Sequence, residues 1–302
     1  MAQPTNTFDT YDSIGIREDL QDVIYSISPT ETPFMSSAAR EQVKNTFHEW
    51  QTDALAAAAT NNAVIEGDEA GLDAVVATAR IGNYTQIMDK TVVITGTQES
   101  VDKAGRASEL AYQIAKKSKE LKRDIESTLL TNQVRAAGNA TTARTFASIG
   151  AWIATNDSLG ASGTSPTAAD GSDARNDGTQ RALTEDLLKT VVKGCWTSGG
   201  SPSTIMVGPF NKQKISGFTG GSTRFDASED KTLYTSIDVY SSDFGDLEVV
   251  PNRFQRDREA LVLDMDYWSV GFLRDFTMHE LAKTGDSEKR QLLAELTLIS
   301  RS

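Results

Sequence analysis

The residue types that most often carry out catalysis are few in this sequence, and they lie far apart. The 302-residue chain contains two histidines, His48 and His279, and one cysteine, Cys195. A cysteine nucleophile needs a histidine base beside it and a donor for the oxyanion, and the sequence around Cys195 indicates neither. We interpret Cys195 as a buried structural thiol at the end of an amphipathic helix. We interpret His48 as a surface or interface residue on a strand.

One aspartate-rich segment, DGSDARNDG at 170–178, resembles a calcium loop at first sight. An EF-hand loop that began at Asp173 would need an oxygen ligand at its third position and a glutamate at its twelfth. Those positions hold Arg175 and Thr184 instead. The segment fails the pattern, and we predict no metal site there.

Two further acidic groups could in principle act as acid–base pairs. Asp264 and Asp266 are two residues apart and would share one face of a predicted strand over 260–266. Glu66, Asp68 and Glu69 lie close together in a polar loop. Solvent-facing positions are the commoner interpretation of both groups. The sequence also has no Walker loop, no GxSxG and no HExxH motif. We therefore predict no catalytic residues, no cofactor and no enzyme.

A basic cluster stands out from the acidic balance of the chain. Within eight residues, opposed only by Glu120, lie Lys116, Lys117, Lys119, Lys122 and Arg123. One interpretation is a solvated helix face. The other is a basic strip that receives an acidic arm or loop from a neighbouring subunit, and the sequence favours neither. Contact with phosphate is a weaker third interpretation, because the formal net charge is −12.

The basic cluster lies on the segment around which the chain is organised, residues 95–138. Apolar residues recur there with helical spacing, from Ala107 to Val134. Thr95 with Gln98 fits a capping box, and Gly138 is a natural residue after the end of a helix. A helix of about 35–40 residues would be about 50–60 Å long. That length exceeds what one compact core needs, so it indicates an extended molecule or a large assembly.

A long β-hairpin is predicted over 41–95, before that helix. Strand-favouring residues occupy 43–50 and 79–95, and the residues between them are small, polar and acidic. Trp50 and Tyr84 lie near the two roots of the hairpin, where large aromatic rings need a surface to cover them. We expect the loop 51–78 to be mobile in a free subunit and ordered against a neighbour, its acidic residues approaching the basic cluster.

The remaining segments fit an α/β body with short flanking pieces. Residues 1–40 resemble an arm. The Gly/Ser/Thr-rich stretch 155–182 is predicted to be a surface loop outside the core. A helix capped by Thr184 follows, then a strand at 204–207 and a helix after Pro209. Further strands are predicted at 236–240, 246–251, 260–266 and 291–300.

Composition excludes several classes of protein. A net charge of −12 argues against tight, sequence-independent binding to DNA, which needs lysine and arginine to displace counterions. A single cysteine excludes an intrachain disulfide framework. The first residues lack the features of a signal peptide, and no apolar run reaches about 18 residues. We expect folding in a reducing cytoplasm, with no membrane contact.

Several stretches resemble the major capsid proteins of tailed bacteriophages, which have the Hong Kong 97-type α+β fold, and in particular a podovirus-like branch of that family. The stretches are ISPTETPFMS at 27–36, FHEWQTD at 47–53, RIGNYTQI at 80–87, MVGPFNKQKISGF at 206–218, VVPNRFQR at 249–256 and LAKTGDSEKRQLLAELTL at 281–298.

The resemblance implies a division of the chain and a function. It implies an N-terminal arm at 1–40, an extended hairpin called the E-loop at 41–95, a peripheral domain with a spine helix at 96–139 and 267–302, and an axial domain at 140–266. Subunits would form hexamers and pentamers of an icosahedral shell around double-stranded DNA, with a separate scaffolding protein and a portal protein at one vertex. A nanocompartment shell that encloses enzymes, and a soluble enzyme with an unrecognised site, are the alternatives.

Overall fold

The computed structural model describes residues 30–69, 71–218 and 237–301. Most of the arm expected at residues 1–40 lies outside these residues. The helices are α1 (Pro33–Ser37), α2 (Gly96–Ser100), α3 (Glu109–Leu129), α4 (Ile149–Trp152), α5 (Glu185–Thr197) and α6 (Pro209–Ser216). The strands are β1 (Ala39–Gln42), β2 (Phe47–Thr52), β3 (Ala79–Tyr84), β4 (Gln86–Thr95), β5 (Thr204–Val207), β6 (Val239–Ser242), β7 (Gly245–Pro251), β8 (Ala260–Leu263), β9 (Trp268–Glu280) and β10 (Ser287–Ser300).

The larger sheet gathers strands from distant parts of the sequence. Its order is β1-β9-β10-β4, with β10 antiparallel to both of its neighbours and β1 parallel to β9. Helix α3 packs on one face through Leu121, Ile125 and Leu129, which are buried against alternate side chains of β10 such as Leu296. Burial of this apolar stripe, more than helix propensity, holds the long helix in place.

The smaller sheet has the order β6-β7-β5-β8 and has helices on one face. Leu188 and Val192 of α5 and Ile215 of α6 pack there against Ile205 and Val207 of β5. The other face carries Met206, Leu261 and Leu263, which join the core of the larger sheet. The two sheets therefore share a continuous apolar core. The strands and helices predicted after residue 184 are confirmed to within a few residues.

The predicted single helix over 95–138 is wrong, because the chain forms two helices there. Thr95 does cap a helix by accepting a hydrogen bond from Gln98 N, but this helix, α2, ends at Ser100. Gly105 then has φ +75°, and Ser108 caps α3 by accepting from Ala111 N. At 21 residues, α3 is about 30 Å long. Gly138 has φ +70° in a later turn, not at the end of the helix.

The expected strand at 260–266 is also shorter in the structure. Strand β8 ends at Leu263, and Asp264 then caps a short 3-10 turn by accepting a hydrogen bond from Asp266 N. The second carboxylate oxygen of Asp264 accepts from Ser201 N at 3.3 Å. The two aspartates therefore do not share a strand face, and Asp264 serves as a turn-capping residue.

The stretch 155–182 is irregular, as predicted, but the expectation that it lies outside the core is wrong for its central part. Gly171 is buried, and a Cβ at this position would come within 2.5 Å of the Ala147 side chain. Arg175 donates to Ile153 O at 3.0 Å, and its own carbonyl accepts from Asn132 at 2.7 Å. Asp177 forms an ion pair with Arg256. These contacts tie the stretch to the rest of the molecule.

Candidate functional site

In the part of the chain that the structure describes, the residues that could do chemistry are not assembled into a site. His48 is half-buried beside Trp50, with 5.7 Å between the ring centroids, and burial lowers its pKa. His279 is exposed on β9. Burial raises the pKa of the Cys195 thiol, which leaves it a poor nucleophile at neutral pH. Within the described ranges, no cluster of three or more His, Cys, Asp or Glu side chains could hold a metal ion.

The most unusual surface feature is the loop between β2 and β3. The two strands pair from Phe47↔Tyr84 to Thr52↔Ala79, so the regular hairpin is much shorter than predicted. Residues 53–69 and 71–78 have no regular structure and are exposed throughout. The exposed side chains include apolar ones: Leu55, Val64, Ile65, Leu72, Val75 and Val76. So many exposed apolar side chains on one loop indicate an interaction surface.

The acidic end of this loop has a defined turn. Asp68 N donates to Ile65 O at 3.1 Å, and Gly67 takes φ +85° between them. The left-handed conformation is easily reached only by glycine, so the turn depends on Gly67. It presents the carboxylates of Glu66, Asp68 and Glu69 to solvent, next to exposed apolar side chains.

The aromatic residues at the hairpin roots are partly covered by their own chain. Trp50 packs beside Trp152, with 5.5 Å between ring centroids, and Tyr84 lies beside Phe47 at 4.5 Å. The expectation that both rings are uncovered in a single subunit is therefore wrong. The sequence did not indicate this, because Trp152 comes from α4, far along the chain. The role of Trp50 and Tyr84 in contacts between subunits stays a prediction.

Buried polar side chains fix the hairpin base to the larger sheet. The Asn83 side chain is fully buried; it donates to Leu298 O at 2.7 Å and accepts from Ala147 N at 2.8 Å. Two residues on, Thr85 Oγ1 donates to Glu295 at 2.8 Å. The base of the hairpin is thus fixed to the sheet, whereas residues 53–69 and 71–78 of the loop that it carries are exposed.

Glu295 is the charged centre of this anchor. An irregularity in the β9–β10 register places it opposite Arg274, which donates to its carboxylate at 2.7 Å, and Arg144 pairs with the same carboxylate. Burial alone would raise the pKa of Glu295, but the hydrogen bond from Thr85 and the two guanidinium groups hold it below its usual value.

The five basic residues of α3 point in different directions. Lys117 pairs with Glu120 at 2.6 Å. The Arg123 guanidinium lies over the ring of Phe254, 5.5 Å from its centroid, and the Lys122 ammonium lies 5.9 Å from that of Phe276. Lys116 and Lys119 are exposed. The cluster is therefore several small surfaces, and whether any of them contacts a neighbour stays a prediction.

Sequence reasoning missed Glu126, whose side chain joins three segments of the chain. This carboxylate is fully buried and accepts from Phe34 N at 2.7 Å, from Met35 N at 2.8 Å and from Asn252 Nδ2 at 2.6 Å. It thereby caps α1, whose own N-cap residue Thr32 makes no capping hydrogen bond through its side chain. Burial raises the pKa of Glu126 even though these three hydrogen bonds favour the ionised form.

The chain is similar to known proteins over its whole length. The family described as SU10 major capsid protein matches residues 3–302. A stretch of 135 residues is 42% identical to the major capsid protein of Escherichia phage Phieco32, and it covers 45% of this chain and 38% of that relative. That match therefore spans well under half of the relative's length. In the described part of the chain, no helix is long and apolar enough to cross a membrane.

Solved structures from several phages share the fold. A chain of Gordonia phage Cozz superimposes with a TM-score of 0.65 at 11% identity, over 99% of this chain and 94% of that one. A chain of the Cyanophage A-1(L) capsid superimposes with a TM-score of 0.63 at 13% identity, over 97% of this chain and 94% of that one. A chain from the capsid of a native GTA particle superimposes with a TM-score of 0.60 at 10% identity, over 96% of this chain and 93% of that one. These likenesses confirm the Hong Kong 97-type α+β fold.

Proposed function

Because this chain belongs to the SU10 major capsid protein family, we propose that it is the repeating subunit of an icosahedral phage shell, built from hexamers and pentamers around double-stranded DNA. The match of the family over nearly the whole chain carries this proposal. Its role is structural: large shared interfaces between copies, not catalysis, supply the stability of such a shell. A phage capsid is also favoured over the two alternatives, a nanocompartment and a soluble enzyme.

The two sheets support a division into peripheral and axial domains. We assign the larger sheet and α3 to the peripheral domain, expected at 96–139 and 267–302, with β1 and β4 added to it because they pair into the same sheet. We assign the smaller sheet with α5 and α6 to the axial domain at 140–266. The hairpin β2–β3 and its exposed loop form the E-loop.

The exposed loop is the element that most needs a partner. Exposing an apolar side chain such as Leu72 to water is unfavourable, and burying it fully in an interface would stabilise that interface by about 1.5–3 kcal/mol. The acidic turn at 66–69 adds a charge preference for a basic surface. In a shell, each loop lies on a neighbouring copy, and the neighbour covers both its apolar and its acidic side chains.

Other partners follow from this function. A separate scaffolding protein guides assembly, and a portal protein occupies one vertex. Packaged double-stranded DNA fills the shell without sequence-specific contacts, and the net charge of −12 limits adhesion of the subunits to it. The subunit is made in the host cytoplasm and ends in the virion.

Expression of the chain followed by sedimentation and electron microscopy tests the proposal. We expect closed shells, with the scaffolding protein supplied if the chain alone gives only open sheets. A chain that stays monomeric with its scaffolding protein present would contradict it. Particles from infected cells should contain nuclease-protected DNA, whereas a nanocompartment would contain cargo protein. A variant that lacks residues 55–74 should fold and stay soluble but build no closed shells.

A further inference from the structure

A cavity of about 160 Å³ lies between helix α5, strand β8 and the irregular stretch that follows α4. Several apolar side chains line it and are only half-buried: Ile153, Leu159, Leu183, Leu187, Val191, Ala260 and Val262. An aliphatic cavity of about 150 Å³ in a protein is large enough to bind a benzene ring. The space therefore suits an apolar group of about that size.

The position of the cavity follows from the packing of α5 on the smaller sheet. Leu261 of β8 faces the core of the larger sheet, so Ala260 and Val262 on either side of it face α5 by alternation. Leu187 and Val191 are one turn apart on α5 and line the cavity from the helix side. Strand β8 is the edge strand of the smaller sheet. The cavity thus lies at the margin of the smaller core.

The mouth of this cavity is cationic. Among the described residues, the charged ones that line it are three arginines and one aspartate: Arg175, Arg181, Arg258 and Asp157. An outer cleft of about 510 Å³ is lined by the same three arginines. An apolar cavity with a few polar groups gathered at one side is the usual form of a small-molecule site.

Two of these arginines have donors to spare. Arg175 is nine-tenths buried; it donates to Ile153 O at 3.0 Å and lies 3.5 Å from Asp157. Its Nε is buried and has no hydrogen-bond partner in the described part of the chain, and a buried donor without an acceptor is unfavourable. Arg181 is exposed and donates to Ser158 Oγ at 2.6 Å. Over the described ranges, no carboxylate pairs with Arg181.

The carboxylates of the outer cleft are largely engaged elsewhere. Asp177 pairs with Arg256 and lies 3.2 Å from Arg258. Glu259 pairs with Arg256 at 2.6 Å. Asp257 is exposed, and solvent screens its charge. These ion pairs bind Arg258 to its own chain, so the guanidinium groups that remain for a ligand are the other two at the mouth.

We infer that this cavity binds a small organic anion, a body about the size of a benzene ring that carries a carboxylate. The ring lies among the apolar side chains of α5 and β8, and the carboxylate accepts hydrogen bonds from Arg175 and Arg181, whose planar donors match it well. The site lies within one subunit and does not depend on the proposed assembly. Because the stretch 155–182 supplies both arginines, the bound anion holds this stretch against the smaller sheet.

Phenylacetate is the probe that tests the site, titrated into the full-length unassembled subunit and followed by ligand-observed NMR. Benzyl alcohol supplies the ring without the charge, and acetate supplies the charge without the ring. We expect phenylacetate to bind at least about tenfold more tightly than either, because only it uses both parts of the site. Phenylacetate should also raise the urea midpoint of the subunit, since it binds the folded state.

Variants separate the two parts of the site. Arg181→Gln should weaken phenylacetate binding by about tenfold or more and leave benzyl alcohol binding unchanged. The matched control is Arg253→Gln, because Arg253 is exposed and does not line the cavity. It should leave both affinities unchanged. Val191→Phe places a ring in the cavity and should abolish the binding of both ring compounds.

Several results would overturn the inference. The first is no binding of phenylacetate to the unaltered subunit at about 10 mM. The second is equal affinity for phenylacetate in Arg181→Gln and Arg253→Gln. The third is full binding by a folded Val191→Phe variant. Because Arg181→Gln changes only an exposed side chain, its comparison stands even if Val191→Phe does not fold. Each of these failures would leave the proposed function of the chain intact.

Discussion

Replacing Asn83 with alanine should loosen the base of the β2–β3 hairpin, because the asparagine is fully buried and its side chain joins two other segments. Ala147 O would keep the Trp152 indole as a donor at 3.2 Å. Ala147 N and Leu298 O would lose the partners that they have at 2.8 and 2.7 Å. Each buried group left without a partner costs about 1–3 kcal/mol, and the vacated space adds to this. We expect the free energy of unfolding to fall by about 3–5 kcal/mol.

Urea denaturation of the unassembled subunit, followed by tryptophan fluorescence, measures this loss from the shift in midpoint. Asn45→Ala is the matched control, since Asn45 is exposed and its side-chain oxygen accepts from the adjacent Thr46. It should change stability by less than about 0.5 kcal/mol. A cost for Asn83→Ala below about 1 kcal/mol would mean that water replaces the lost bonds and that Asn83 does not anchor the hairpin.

Three other outcomes are expected. Leu121→Ala, at a position 1% exposed against the larger sheet, should cost about 2–5 kcal/mol in the same assay, and an unchanged midpoint would refute the assigned helix face. Burial raises the pKa of Glu126, so ionising this carboxyl lowers the stability of the folded state as pH rises through the folded-state pKa. The free energy of unfolding of the unaltered chain, relative to that of Glu126→Gln, should therefore fall on going from below pH 4.5 to neutral pH. A difference that stays constant with pH would contradict this. Hydrogen exchange across 51–78 should be fast in free subunits and slow in particles, and equal rates would show that assembly does not order the loop.

The cap signal at Thr95 was reliable, but Gly138 as the helix end and the continuity of the helix between them were not. The predicted cap at Thr95 is used, but by the short helix α2, and the cap of α3 by Ser108 was not predicted. The apolar spacing begins only at Ala107, so it gave no support for extending the long helix back across the gap to the cap at Thr95. Gly105 separates the two helices because it takes φ +75°, and nothing in the sequence distinguishes that glycine from one tolerated inside a helix.

The features that position the loop depend on contacts between distant residues. Trp50 is covered by Trp152, and Glu126 receives bonds from Phe34 and Asn252. Propensity and spacing describe neighbours along one element, so they cannot report such pairs. The exposed, acidic character of 53–69 and 71–78 could be predicted because it is a property of composition.

The order of strands in the larger sheet governs when a newly made chain can fold. Strand β10 lies between β9 and β4, so β4 has no sheet neighbour until β10 has been synthesised. The hydrogen bond from Thr85 to Glu295 closes a loop of 210 residues. Closures of that length are slow, because the entropy of the loop is lost before its contacts form. A nascent chain on the ribosome therefore has an incomplete peripheral sheet, and its hairpin has no fixed base. Polysomes carrying many such chains close together are thereby protected from premature polymerisation, because a subunit becomes competent to join a lattice only after its synthesis is nearly finished.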